Sequence, residues 1–406
     1  MSQDDQTYNR WIPVFLGVLI QLCLGSVYIW GVFQPAVVKM FGWTHATAAL
    51  TFSFCLGVFT IGSVIGGMYQ DKLGPKRVLM ASAVILSIGF WMAGYTTADK
   101  PWWLWLCYGV IGGGGMGATY PTIIVTCQKW FPDRRGLVTG IVVAALGFGG
   151  LIFTPLARMW VAEYGVLITF QIFSVIFFVV TMGCGFFFRI PQPGFAPAGW
   201  KPSVAAAAGM AAVPYTAGEA SKTWQFWVMG LVLGMACSTG LMIIPFAKVL
   251  GLQGGLTDAV ATSAVMVIAA ANSGGRLFWG AMSDKLGRTK TILMLLLIAG
   301  TCMLFLAAAK EYTILVLIFV IALSYGGYLG VFPALVADYF GTKAAGMIYG
   351  LLLLFFGVAA VGAPLLAGKI RDATGGFVAS FMTTAILSFV AAVLVFMLKP
   401  PAKKSS

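Results

Sequence analysis

The sequence predicts an all-α membrane protein with twelve transmembrane helices, and three observations predict it. Hydrophobic residues make up 60% and charged residues 9% of the 406-residue chain, far from the roughly 45–50% and 25% of soluble domains. Apolar runs long enough to cross a bilayer as helices, about 20 residues each, recur from one end of the chain to the other. A pair of spaced motifs also appears twice at nearly the same offset, which sorts the runs into two sets of six.

In order, the runs occupy 12–33, 45–69, 78–96, 102–127, 136–157, 165–188, 224–247, 257–282, 290–309, 313–336, 344–367 and 375–398. The first follows a short polar head ending at Arg10 and is longer than a signal-peptide core, so it is expected to be retained. The repeat is read from "GGMYQDKLGPKR" (66–77) against "WGAMSDKLGRTK" (279–290), and from "ATYPTIIVTCQKWFPDRRG" (118–136) against "GVFPALVADYFGTKAAG" (330–346). The offset from Asp71 to Asp284 nearly equals that from Phe131 to Phe340, so one six-helix unit is used twice. The expected domains are residues 1–189, a linker 190–222 and residues 223–406. The linker is rich in Pro, Gly and Ala, with room for one surface helix. Parallel repeats of this kind build secondary transporters that rock two halves about a midplane site.

The net charge of +13 could suggest nucleic acid, but its placement reports topology instead. With both termini on one side, that side carries 17 Lys and Arg, the opposite side 7, and Arg276 is left within a span. The excess makes the termini cytoplasmic by the positive-inside rule, in a plasma (inner) membrane, and no nucleic-acid partner is expected. The seven cysteines all lie in apolar runs without CxxC spacing and read as small buried hydrophobes. With a single histidine, His45, ligands for a metal are lacking, and neither metal nor cofactor is expected. The glycine runs "IGGGGMG" (111–117) and "SYGGYLG" (324–330) sit inside apolar runs with no Lys following. Close helix packing explains them better than phosphate binding.

Arg276 stands in "IAAANSGGRLFWG" (268–280), a stretch otherwise fit for lipid. A charge at membrane depth costs from roughly 2.5 kcal/mol upward and usually marks a pathway or a site. It lies roughly two turns, about 12 Å along a helix, before Asp284, so snorkelling is the competing reading. Helical side chains lean toward their own N-terminus, and the eighth span runs outside to inside. The guanidinium is therefore directed to the membrane centre. All twelve acids fall in termini, loops or span ends, and Asp258, on the same span, lies at its far end. A substrate carboxylate held by the guanidinium fork is the simplest partner. Asn272, one turn earlier, can orient either group, and Gly274 and Gly275 leave room beside them. One fixed cation balances a monoanion, which favours a monocarboxylate.

The doubled G-x-x-x-D-[RK]-x-G pattern resembles the signature of the major facilitator superfamily. Physically, Asp71 and Asp284 can cap a neighbouring helix and pair with Arg77 or Arg288. With Lys72 and Lys285, these residues form gating clusters that latch the cytoplasmic side. Four further stretches carry a closer resemblance: "VYIWGVFQP", "KWFPDRRGLVTG", "GGRLFWGAMSDKLGRTKT" and "SYGGYLGVFPALVADYFGT". They are similar to the branch that joins bacterial oxalate/formate antiporters and the monocarboxylate (lactate and pyruvate) transporters. That resemblance implies a substrate role for Arg276, with Tyr28, Tyr120 and Tyr325 lining the same cavity and Tyr328 one turn beyond. Each tyrosine could equally be a packing residue with a satisfied hydroxyl.

Two departures bear on the substrate. The oxalate/formate antiporters carry a lysine in the eleventh span where this chain has Phe356, so a dianion is disfavoured and Phe356 becomes an apolar wall or plain core. Animal-type monocarboxylate transporters carry an aspartate where this chain has Asn272, so their proton carrier is absent. Asp258, His45 and Lys39 are the remaining side-chain candidates for proton coupling, nothing in the sequence selects among them, and carriage of the proton on the substrate acid itself is the alternative. The expectation is thus a secondary carrier for small monocarboxylates such as L-lactate or pyruvate, with protons as partner. Proton symport comes from the resemblance alone, and an oxalate/formate-type exchanger is the alternative. It is expected to work as a monomer. An enzyme is disfavoured because no Ser/His/Asp, HExxH or paired-carboxylate set lies in the spans. A drug carrier would want a buried acid, and a sugar carrier many polar side chains.

Overall fold

The structure, a computed structural model, describes residues 8–192, 195–197, 214–243 and 246–401. Among them are twelve long helices and no strand. They are α1 Trp11–Phe41, α2 His45–Leu73, α3 Pro75–Ala93, α4 101–130, α5 Arg135–Tyr164 and α6 Val166–Phe187. In the second half follow α7 Trp224–Ile243, α8 Asp258–Leu286, α9 Arg288–Leu306, α10 Tyr312–Phe340, α11 Ala345–Thr374 and α12 Val378–Met397. Most run several residues past their apolar stretches, because a helix continues into the interface until a turn residue stops it. Gly74, Gly287 and Gly341 do this at φ +82°, +89° and +79° after α2, α8 and α10.

Ten of the twelve are long and apolar enough to cross a membrane. The other two, α4 and α8, depart for visible reasons. In α4 the part 113–130 is diluted by glycines, threonines, Tyr120, Pro121, Gln128 and Lys129, and a π-helical stretch, Trp105–Gly112, precedes it. Helix α8 carries Arg276, Asp284 and Lys285. A 3₁₀ segment, Gly25–Ile29, interrupts α1 and presents Tyr28. The linker helix expected from sequence lies mostly outside the described residues. One turn, Ala217–Ala220, is present near its end, closed by a capping box between Thr216 and Glu219.

Contacts divide the chain into two compact units. One comprises Met1–Asp133, Ala145–Ser203 and Thr342–Leu351; the other comprises Arg134–Ala144, Val204–Gly341 and Leu352–Ser406. The first turns of α11 therefore count with α1–α4 and α6, and those of α5 with α7–α10 and α12. In the first unit α2 packs on α4 through the glycine run: a Cβ on Gly113 would stand 2.6 Å from the Cys55 carbonyl oxygen, and one on Gly117 would overlap that of Phe59. Tyr108, Phe33, Phe90, Phe170, Phe173 and Phe177 fill the space between α1, α3, α4 and α6. In the second unit the core lies among α7–α10 and α12, around Ile243, Ile268, Met303, Ile318 and Phe381. All seven cysteines are free thiols.

Candidate functional site

The second unit builds its charged centre on α8. Glycines bring α10 close: a Cβ on Gly326 would overlap the Asn272 carbonyl oxygen, one on Gly330 that of Arg276, and one on Gly275 that of Leu323. From α5, Gly140 approaches the Arg276 carbonyl, where a Cβ would stand 2.6 Å away. These contacts fix the backbone of Asn272 and Arg276 from two sides. Gly274, by contrast, has nothing within 4 Å of where its Cβ would be.

Arg276 is 1% exposed. Its Nε donates to Asn272 Oδ1 at 3.2 Å, and Nη1 donates to the Val143 carbonyl of α5 at 2.9 Å. The side chain is thus turned toward its own N-terminus, away from the charged end of α8. These two acceptors are neutral oxygens, which orient a guanidinium without cancelling its charge. Asn272 is buried, and Cys237 of α7 lies within electrostatic reach of the guanidinium. The Val143 carbonyl and Gly140 could not be found from sequence, since neither carries a chemical signature.

The other substrate candidates divide between the units. In the second, Tyr325 is buried on α10 with its ring against Gly240 of α7. Tyr328 is fully buried, turned to the thiols of Cys237 and Cys302 and to Ser388. Phe356 is half-buried on α11, while its neighbour Phe355 packs on Gly230 and Trp227 of α7. In the first unit, Tyr120 is buried between Phe59 of α2 and Tyr349 of α11, with ring centroids 5.5 and 6.2 Å away. Tyr28 is 46% exposed, its Cβ beside Gly150 of α5.

At the charged ends, Asp284 grips the first turn of α5. Its Oδ1 accepts from the Gly136 amide at 2.9 Å and its Oδ2 from the Leu137 amide at 2.8 Å, the geometry of an acid at a helix N-terminus. Arg288 donates to Asp284 at 2.5 Å and to Asp338 at 3.1 Å, and Asp338 also accepts from Arg135 at 2.8 Å. Four alternating charges are linked in this way. In the first unit, Asp71 Oδ2 accepts from the Met347 amide, in the first turn of α11, at 3.3 Å. The cation beside Asp71 is Lys129 of α4. Arg77, like Lys72 and Lys285, is exposed and takes no part in a salt bridge among the described residues. Of the proton-coupling candidates, Asp258 forms an exposed ion pair with Lys248 at 2.9 Å, and His45 and Lys39 are exposed at helix ends.

A family model described as Major Facilitator Superfamily matches residues 14–310 and 255–406. The chain belongs to that superfamily. It is therefore a multi-pass membrane transporter and not an enzyme, and its twelve-helix fold is the one expected from the sequence. Among its relatives, an uncharacterized MFS-type transporter of Escherichia coli is 30% identical over 89% of this chain and 88% of its own. The oxalate:formate antiporter of Oxalobacter formigenes is 29% identical over 98% and 94%. Monocarboxylate transporter 13 of Rattus norvegicus is 26% identical over 89% and 82%. Among solved structures, the transporter FucP in its outward conformation is similar in fold with a TM-score of 0.73, at 13% identity, over 95% of this chain and 98% of that one.

Proposed function

We propose that this transporter moves small monocarboxylates of the L-lactate or pyruvate type across the plasma (inner) membrane by alternating access, in symport with protons. The observation that carries the reading is the buried guanidinium of Arg276, oriented by the neutral oxygens of Asn272 and Val143. A permanent cation at membrane depth is costly, and a substrate carboxylate taking its fork in two parallel hydrogen bonds offsets that cost. Asn272 and Val143 pre-orient the fork, so less freedom is lost on binding.

The antiporter and the monocarboxylate transporter among the relatives support a carboxylate substrate. Phe356 in place of a second cation favours the monoanion. Tyr325, Tyr328, Tyr120 and Tyr28 are the aromatic candidates around the substrate. The two halves, residues 1–189 and 223–406, would rock about the site with linker 190–222 and both termini in the cytoplasm. The clusters at Asp71, Lys72 and Arg77 and at Asp284, Lys285 and Arg288 would act as the gate.

Uptake of labelled L-lactate into cells, with an imposed pH gradient and with a protonophore, tests the reading. Inward proton-driven uptake, lost in Arg276→Ala, supports it. Uptake that needs only an internal counter-anion makes the protein an exchanger instead. Arg276→Lys keeps the charge but loses the fork, so uptake should fall well below about half. Near-normal uptake by that variant would remove the core of the proposal.

A further inference from the structure

The proton partner in that reading lacks a group to carry it, because Arg276 does not titrate and Asp258, His45 and Lys39 are exposed. Ten acids are described, and nine are accounted for. Asp99, Glu163, Glu311 and Asp372 are exposed. Asp133 takes both arms of Arg10 at 2.6 and 3.1 Å, Glu219 closes its capping box, Asp258 pairs with Lys248, and Asp284 and Asp338 share Arg288.

Asp71 is different. Its Oδ1 is the one carboxylate oxygen among the described residues that is buried without a hydrogen bond. Its Oδ2 has a single long bond to the Met347 amide. A buried carboxylate carries a desolvation cost. Three close donors offset it at Asp284, but one long bond and the Lys129 ammonium do less at Asp71. The charged group set against Asp71 is a cation, Lys129 from α4; Lys72 on α2, Arg77 on α3 and Lys343 just before α11 are exposed, and Lys76 lies over the Phe186 ring of α6. None of the described acids stands by to share a proton, so a proton arriving there resides on Asp71 itself.

We propose that Asp71 is the proton-binding group of this transporter, taking a proton on Oδ1 and thereby releasing the first turn of α11. The ionised carboxylate holds the Met347 amide by a charge-assisted bond. Protonation leaves a neutral acceptor that holds it weakly. The sign follows: the hold is present at high pH and is lost as pH falls through the titration of Asp71. Asp284 differs in being held by three donors, two amides of α5 and Arg288.

This inference rests on the symport reading, and its test is separate from lactate uptake. Amide hydrogen exchange in the purified, full-length protein, corrected for the intrinsic effect of pH, reports the 345–349 segment directly. In the wild type, exchange there should rise about tenfold between neutral and mildly acidic pH, while 136–139 stays unchanged. In Asp71→Asn it should already be fast at neutral pH and no longer respond. Lys129→Gln, which removes the supporting ammonium but not the acid, should move the transition to higher pH. That second variant keeps the test decisive if Asp71→Asn folds poorly. The ratio of uptake with a proton gradient to uptake without should fall to roughly one in Asp71→Asn.

An unchanged pH response of 345–349 in both variants, or an equal response at 136–139, overturns the proposal. If the wild type carries no monocarboxylate, the symport reading fails while the exchange data still decide whether Asp71 binds the proton.

Discussion

Residues 71 and 284 stand at the same place in the two copies of the repeat, and around them the backbone is treated alike while the charges are not. Gly67 and Gly280 correspond, at the same offset as the two acids. A Cβ on Gly67 would overlap the Gly346 carbonyl at the start of α11, and one on Gly280 would stand 2.6 Å from the Gly136 carbonyl at the start of α5. Lys129 and Asp338 also correspond, at the offset that relates Phe131 to Phe340, but with opposite sign. An acid at 338 can hold Arg288 and Arg135 and so complete a network around Asp284. A lysine at 129 can only face Asp71. Repeat symmetry thus preserves the approach of the helices, and the side chains decide how firmly each approach is held.

The comparison can be broken most forcefully at its strong end. Asp284→Asn removes the charge and one of the two oxygens that accept from two amides and Arg288, and sets an NH2 donor against them in a mostly buried cluster, so it should lower stability by about 3 kcal/mol. The purified protein's thermal melt checks this. If the backbone approach is common to both copies, Gly280→Ala and Gly67→Ala should each cost about 2 kcal/mol through overpacking, with similar shifts in the melt. A large difference between the two would show that the helix contacts are not equivalent after all. Asp71→Asn leaves a neutral acceptor for one long hydrogen bond and should cost only about 1 kcal/mol, well short of its counterpart. Arg77→Gln, at an exposed residue without an ion pair among the described residues, should leave the melt unchanged.

Much of the fold was legible because transmembrane helices are written in composition. Runs such as 165–188 and 375–398 contain nothing else that could satisfy their backbone in lipid, and the helices found, 166–187 and 378–397, differ by only a few residues. The glycine runs were legible as packing surfaces for the same reason, since a small residue in an apolar helix signals close approach. Arg276 stood out because a charge there is costly. Its carbonyl partner, Val143, was not legible: a backbone acceptor carries no residue identity, and only the packing of α5 on α8 supplies it.

By itself, then, the sequence determined the helices, the repeat, the Arg276–Asn272 pair and the two acids at 71 and 284, because hydropathy, charge and spacing are local properties. The tertiary structure alone decided the partners across helices. It assigned Lys129 and not Arg77 to Asp71, gave Arg288 two carboxylates, and left one oxygen of Asp71 buried without a donor. Those outcomes depend on which helix faces meet at close range, a property of the packed chain that no stretch of residues carries alone.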